Sequence, residues 1–209
     1  MKIISHRGLW IKESEKNSEK SFKNSFQKGF GTETDVRDLS GRLVISHDMP
    51  LGGEVELSNF LSLASSHQPT EQLTLALNIK SDGLANALRE ELANFPALDV
   101  FVFDMSIPDM PSYLNAGFKV FTRMSEVERK AAWIEKSYGV WLDSFNTDWF
   151  PNDLIIKLLK LGKSVCLVSP ELHGRDHLGL WDQIFSLKES ESLILCTDYS
   201  IEAKIFFRL

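Results

Sequence analysis

Residues 31–48 read GTETDVRDLSGRLVISHD, and the fold can be worked outward from them. Residues 31–36 have the pattern of a short strand in which Glu33 and Asp35 stand two positions apart, so both side chains leave the same side of a sheet. Ser40-Gly41 supplies turn chemistry, and the extended run 43–46 then delivers His47 and Asp48. Upstream, the apolar run 2–5 ends on His6-Arg7-Gly8. Between these strands the spacing predicts a helix over 18–28, with Phe22 and Phe26 on one face and Asn17 or Ser18 as its cap. A strand, a helix and a second strand, each strand ending in charged side chains, make the repeating unit of a parallel α/β sheet.

The same unit recurs to the end of the chain. Strands are expected at 73–79, 99–103, 118–122, 139–142, 164–168 and 193–196, with helices after them at about 83–94, 108–116, 151–161, 178–188 and through 206. Another helix is expected after 118–122, because Ser125 and Glu128 have capping-box spacing. Pro151 and Gly162 bracket the 151–161 helix in the usual asymmetry. Eight such units predict an α/β fold, a compact (β/α)8 TIM barrel, as one domain over 1–209. In that fold catalytic groups sit at the C-terminal ends of strands. Here those ends carry His6 and Arg7, Glu33 and Asp35, Asn78 and Lys80, Asp104, Arg123, Asp143, Ser169 with Glu171, and Thr197 with Asp198.

Composition narrows the chemistry. The 209 residues are 43% hydrophobic with a net charge of −6 and no basic block, which disfavours nucleic acid or an anionic membrane surface and favours a small-molecule ligand. MKIIS runs straight into the first motif, and no segment approaches the roughly 18 apolar residues of a membrane span, so a cytoplasmic protein without a transmembrane segment is expected. Cys166 and Cys196 each lie in an apolar run and read as buried thiols.

Glu33 and Asp35 repel one another unless a cation or a proton intervenes, and hard divalent ions such as Mg²⁺ or Ca²⁺ take oxygen ligands of this kind. His6 and His47, brought to one barrel mouth, form a pair able to take a proton from a nucleophile and give one to a leaving alkoxide. Arg7 offers a donor fork to phosphate oxygens, and Lys80 a point charge. Asp48 either orients His47 or begins a turn, and Gly8 lets the backbone turn tightly beside the site. Glu171, His173 and Arg175 alternate in the loop after 164–168 and are candidates to contact a hydroxylated head group, a sugar or a second phosphate.

HRG, then ETDVRDLSGRLVISHD, then NIK (78–80) and TDYS (197–200), in this order, resemble the glycerophosphodiester phosphodiesterase family, a branch of the phosphatidylinositol-phosphodiesterase-like barrels. The resemblance implies that His6 and His47 are the catalytic histidines, that Glu33 and Asp35 are metal ligands, and that Arg7 and Lys80 lie near the phosphate. It implies cleavage of a glycerophosphodiester to glycerol 3-phosphate and an alcohol. Three positions depart from the family pattern. Asn78 stands where relatives have Glu or Asp; its amide oxygen can still ligate Mg²⁺ or Ca²⁺, with one negative charge fewer. Glu15-Lys16-Asn17-Ser18 replaces Glu-Asn-Thr, and the loop 166–175 lacks the Trp and Asn found in relatives. Two other outcomes fit the same residues: a lyase-type phospholipase releasing a cyclic phosphate, and a non-catalytic barrel that binds a phosphorylated ligand.

Overall fold

A computed structural model of the chain describes residues 1–67 and 72–209. The chain divides into two compact units, Ser5–Val120 and Met1–Ile4 with Phe121–Leu209. Strand β1 (Lys2–His6) runs across the first boundary. The first unit continues with α1 (Glu19–Gln27), β2 (Gly31–Leu39), β3 (Arg42–Ile45), α2 (Leu57–Ser66), β4 (Thr74–Ile79), α3 (Ala85–Leu92), β5 (Asp99–Phe103) and α4 (Met110–Asn115). From β6 (Val120–Met124) the chain passes to β7 (Gly139–Leu142), α5 (Asn152–Lys160), β8 (Ser164–Val168), α6 (Leu178–Ile184), β9 (Leu193–Thr197) and α7 (Ser200–Phe207).

Strands hydrogen-bond in the order β1-β9-β8-β7-β6-β5-β4-β2-β3, and β1 also pairs with β2, so eight parallel strands close into a barrel with β3 as an antiparallel addition. The sequence expectation of a (β/α)8 barrel holds. Every residue of β4 is buried, as in a parallel strand covered on both faces. In β2 the burial ends after Val36, and the remaining residues leave the barrel to pair with β3, from Val36 opposite Ile45 to Leu39 opposite Arg42. The parallel register of β2 on β4 sets Asp35 opposite Asn78.

Ser18 caps α1 by accepting a hydrogen bond from the Ser21 amide, and Phe22 and Phe26 turn inward. They meet Phe60 of α2, with ring centroids 4.7 and 5.8 Å away. Truncating one such buried phenylalanine costs about 3–5 kcal/mol, so this cluster anchors the α1 that closes on β1. In the second unit Trp181 of α6 is buried against Phe206 and Phe207, and its indole N–H donates to Ser169 Oγ at 2.9 Å.

Two local expectations need correction. No helix follows β6: Ser125 and Glu128 exchange backbone hydrogen bonds in a turn, although Ser125 Oγ accepts from the Glu128 amide as a cap would. The helix is lost to tertiary ties. The Glu128 carboxylate pairs with Arg123, the Glu126 carboxylate accepts from the amides of Phe145 and Asn146, and Thr122 Oγ1 holds the Ala132 carbonyl. Conversely, α2 forms in a stretch to which the sequence reading assigned no element, burying Leu57, Phe60, Leu61 and Ala64 on one face. Among the described residues no helix is long and apolar enough to cross a membrane.

Candidate active site

The site begins where β1 ends. Arg7 has left-handed backbone (φ 57°), followed by Gly8 at φ 88°. A side chain at Gly8 would meet both the backbone and the side chain of Ser21 within 2.7 Å, so glycine is required by conformation and by the approach of α1 together. The Arg7 amide donates to the Glu33 carbonyl at 2.9 Å, and its carbonyl accepts from the Asn17 amide at 3.0 Å. These bonds aim the guanidinium at β2.

Its target is Asp35, which is fully buried. Asp35 Oδ2 lies 3.0 Å from Arg7 Nε and accepts from Asn17 Nδ2 at 2.9 Å, while Oδ1 lies 3.3 Å from Lys80 Nζ. Asn17 uses both ends of its amide, because its Oδ1 accepts from Thr34 Oγ1 at 2.8 Å. Two cations and an amide thus converge on one carboxylate. Glu33 is also buried but has no such company: its Oε2 is 3.9 Å from His6 Nε2 and receives no hydrogen bond. Burial, then the charge of Asp35, push the Glu33 carboxyl up to about 8, against the pull of Arg7 and Lys80. Asp104, at the end of β5 with φ 61°, adds to the upward push.

His47 leaves the end of β3 half-exposed, with Nδ1 2.9 Å from Asp48 Oδ1, so the ring presents Nε2 to its surroundings. Of the two roles open to Asp48, orienting His47 is the one its contact supports. The His47 carbonyl is held by Arg37 Nε at 3.2 Å. Arg7, Asn17 and His47 line one cleft of ≈ 640 Å³.

A search of solved structures finds this fold over the whole chain. A glycerophosphodiester phosphodiesterase from Agrobacterium tumefaciens is similar with a TM-score of 0.69 at 16% identity, covering 100% of both chains. A glycerophosphoryl diester phosphodiesterase from Parabacteroides distasonis gives 0.66 at 14% identity, covering 99% of this chain and 86% of that one. The barrel is theirs. No family model and no curated protein matches the chain.

The loop residues singled out in sequence belong to the second unit and are engaged there. Glu171 Oε1 accepts from Thr197 Oγ1 and from the Asp198 amide, His173 Nε2 lies 2.8 Å from Asp143 Oδ1, and Arg175 binds the Ser144 carbonyl and the Asp148 carboxylate. His173 also meets the Phe145 ring edge-on at 5.0 Å.

Among the described residues no group of three or more His, Cys, Asp or Glu side chains is placed to hold a metal ion. The oxygen inventory is nevertheless suited to a hard cation. Glu33 Oε2 and Asn78 Oδ1 are buried and accept no hydrogen bond, and leaving such acceptors unmet costs about 1–3 kcal/mol each; Asp35 Oδ1, beside them on the strand ends, faces the Lys80 ammonium at 3.3 Å. The amide oxygen comes from the position opposite Asp35 in the β2–β4 register, and amide oxygens are among the ligands such cations accept. In sequence Asn17 stands as an alternative to Ser18 for the α1 cap and within the 15–18 segment that replaces Glu-Asn-Thr; its left-handed backbone (φ 57°), which Asn tolerates, and its bonds to Asp35 and Thr34 emerge only in the fold. Asp104 was noted only as one strand end among many.

Proposed function

We propose that this chain is a phosphodiesterase that hydrolyses a glycerophosphodiester, or a related phosphodiester, to a phosphomonoester and an alcohol. The observation that carries the reading is the convergence of Arg7, Lys80 and Asn17 on buried Asp35, beside two buried acceptor oxygens, Glu33 Oε2 and Asn78 Oδ1, that accept no hydrogen bond. Fold similarity to two enzymes of this activity supports it.

Arg7 and Lys80 bind and orient the anionic phosphate. His6 and His47 exchange protons with the nucleophile and the leaving oxygen; Asp48 fixes the His47 ring so that Nε2 is the nitrogen that does so. Glu33, Asp35 and Asn78 would hold a divalent cation, Mg²⁺ or Ca²⁺, which would polarise the phosphoryl group. Asn17 keeps the Asp35 carboxylate from rotating. The chain acts as one catalytic domain, and its two free, buried cysteines favour the cytoplasm as its compartment.

The test is turnover of a glycerophosphodiester panel and a chromogenic diester with Mg²⁺, Ca²⁺ or chelator. Hydrolysis stopped by chelator, and reduced about 10²–10⁴-fold in both His6→Ala and His47→Ala, is the expected result; turnover untouched by either substitution sinks the mechanism. The amide at Asn78 favours one second reading, a barrel that binds phosphorylated ligands without cleaving them. Glycerol 3-phosphate binding with no turnover of any diester would select that reading.

A further inference from the structure

Three strand ends of the first unit lie side by side. The registers of β2 on β4 and of β4 on β5 align Asp35, Asn78 and Phe103. Asp104 follows directly, and there the backbone turns left-handed at φ 61°. The turn is one of a set. Six non-glycine residues have positive φ among the described residues, and three of them, Arg7, Asn17 and Asp104, border Asp35 and Glu33. Aspartate and asparagine both tolerate this conformation, so the backbone alone does not explain a charged residue at position 104.

The charge reaches the buried acids. Asp104 Oδ1 is itself buried, and of the four charged side chains that act on Glu33, Asp35 and Asp104 oppose its ionisation while Arg7 and Lys80 favour it. The count decides what this cluster can hold. Glu33 and Asp35 by themselves are balanced by Arg7 and Lys80, and a neutral set offers a divalent cation no net attraction. Asp104 makes three carboxylates to two cations, a surplus of one negative charge that Asn78 cannot supply. Asn78 supplies an oxygen instead. It is 7% exposed, lies on the strand between Asp35 and Asp104, and its Oδ1 accepts no hydrogen bond. Hard divalent cations take such mixed sets of carboxylate and amide oxygens, and the number of charged ligands sets how tightly they are held. Among the described residues the acids are not gathered into a ready ligand group. Asp35 is turned to Arg7 and Lys80, and like charges repel until a cation intervenes.

We propose that Asp104 is the charge-supplying acid of the divalent-cation site, joining Glu33, Asp35 and Asn78 from the neighbouring strand end, and that the site holds Mg²⁺ or Ca²⁺ poorly without its carboxylate. The inference rests on the cation part of the phosphodiesterase reading and adds a residue to it. With a divalent cation bound, the surplus becomes one positive charge, which matches the single negative charge of a phosphodiester.

The test is calorimetric titration with Mg²⁺ and Ca²⁺, together with melting in chelator. Asp104→Asn keeps a residue that tolerates the left-handed backbone and removes the charge; Asp104→Gly fits the same backbone and removes the oxygens as well. Both variants are expected to bind either ion at least about tenfold more weakly than wild type and to lose the rise in melting temperature that the ion gives wild type. In chelator Asp104→Asn should melt no lower than wild type, because a like charge beside Glu33 is gone. Returning the charge to the neighbouring strand in Asn78→Asp/Asp104→Asn should bring the affinity back to within about threefold of wild type. Wild-type affinity in Asp104→Asn overturns the proposal. Weakened binding in both variants with a lower melting temperature in chelator overturns it too, since Asp104 would then be a structural residue. Wild type that binds neither ion yet cleaves diesters in chelator overturns the proposal and leaves the phosphodiesterase standing. Wild type that binds an ion through Asp104 but cleaves no diester upholds the site and overturns the phosphodiesterase.

Discussion

The strand ends of the two units are both crowded with charge, yet they use it in opposite ways. In Phe121–Leu209 the side chains satisfy each other locally: His173 pairs with Asp143, Arg175 with Asp148 and Ser144, and Glu171 Oε1 with Thr197 and Asp198. In Ser5–Val120 the balance is lopsided. Two cations and an amide crowd onto Asp35, while acceptor oxygens of Glu33 and Asn78 accept no hydrogen bond, and Glu33 is pushed far from its ordinary ionisation. Single unmet acceptors occur in the second unit as well, at Glu171 Oε2 and Asn152 Oδ1, so what separates the candidate site is the gathering of such oxygens with a displaced acid around the Arg7–Asp35–Lys80 cluster.

The comparison breaks most sharply at Asp35. Asp35→Asn keeps the shape but strands Arg7 and Lys80 without a counter-charge, and is expected to cost about 3–5 kcal/mol in urea unfolding while abolishing diester turnover. An unchanged midpoint would mean the three side chains are not a unit. Glu33→Gln tests the other half of the imbalance. Because the folded Glu33 carboxyl titrates near 8 and an unfolded one near 4.5, its stabilisation is fully present below about 4.5 and is lost as pH rises through about 8. In chelator the variant should lose that decline, melting at least about 4 °C above wild type at pH 8, with the gap closing towards pH 5. A wild-type melting temperature that rises over this interval would contradict the inverted titration.

Asn78→Asp adds the missing carboxylate, and calorimetry should find Mg²⁺ or Ca²⁺ bound about tenfold more tightly. Equal affinity would remove position 78 from the ligand set. The smallest effect is expected at Arg175→Ala. Its donors are already engaged by Ser144 and Asp148, so a stability loss of about 1 kcal/mol and a change in kcat/KM below about threefold are expected. A tenfold kinetic loss at unchanged stability would move the loop 170–175 into the site.

Much of this molecule was legible in its sequence because the informative signals are local. Strand and helix patterns, the cap at Ser18 and the two-residue spacing of Glu33 and Asp35 all depend on near neighbours. The failure after β6 has the opposite cause. Ser125 and Glu128 have the spacing of a helix start and even form its cap, the Glu128 amide donating to Ser125 Oγ, but the Glu128 carboxylate is claimed by Arg123 and that of Glu126 by the 145–146 backbone. The part Asn17 plays at Asp35 is hidden in the sequence for the same reason: its partners, Asp35 and Thr34, are distant along the chain.

The sequence by itself determined the (β/α)8 barrel, the strand ends at which charged groups gather and the identity of the histidines, carboxylates and cations, because periodicity and residue type are properties of the chain alone. Only the tertiary structure decided which charges are spent and which are left over. Burial and pairing are set by the neighbours that folding brings, and they make Glu33 a displaced acid, Asp35 the hub of two cations and Asn17 its support.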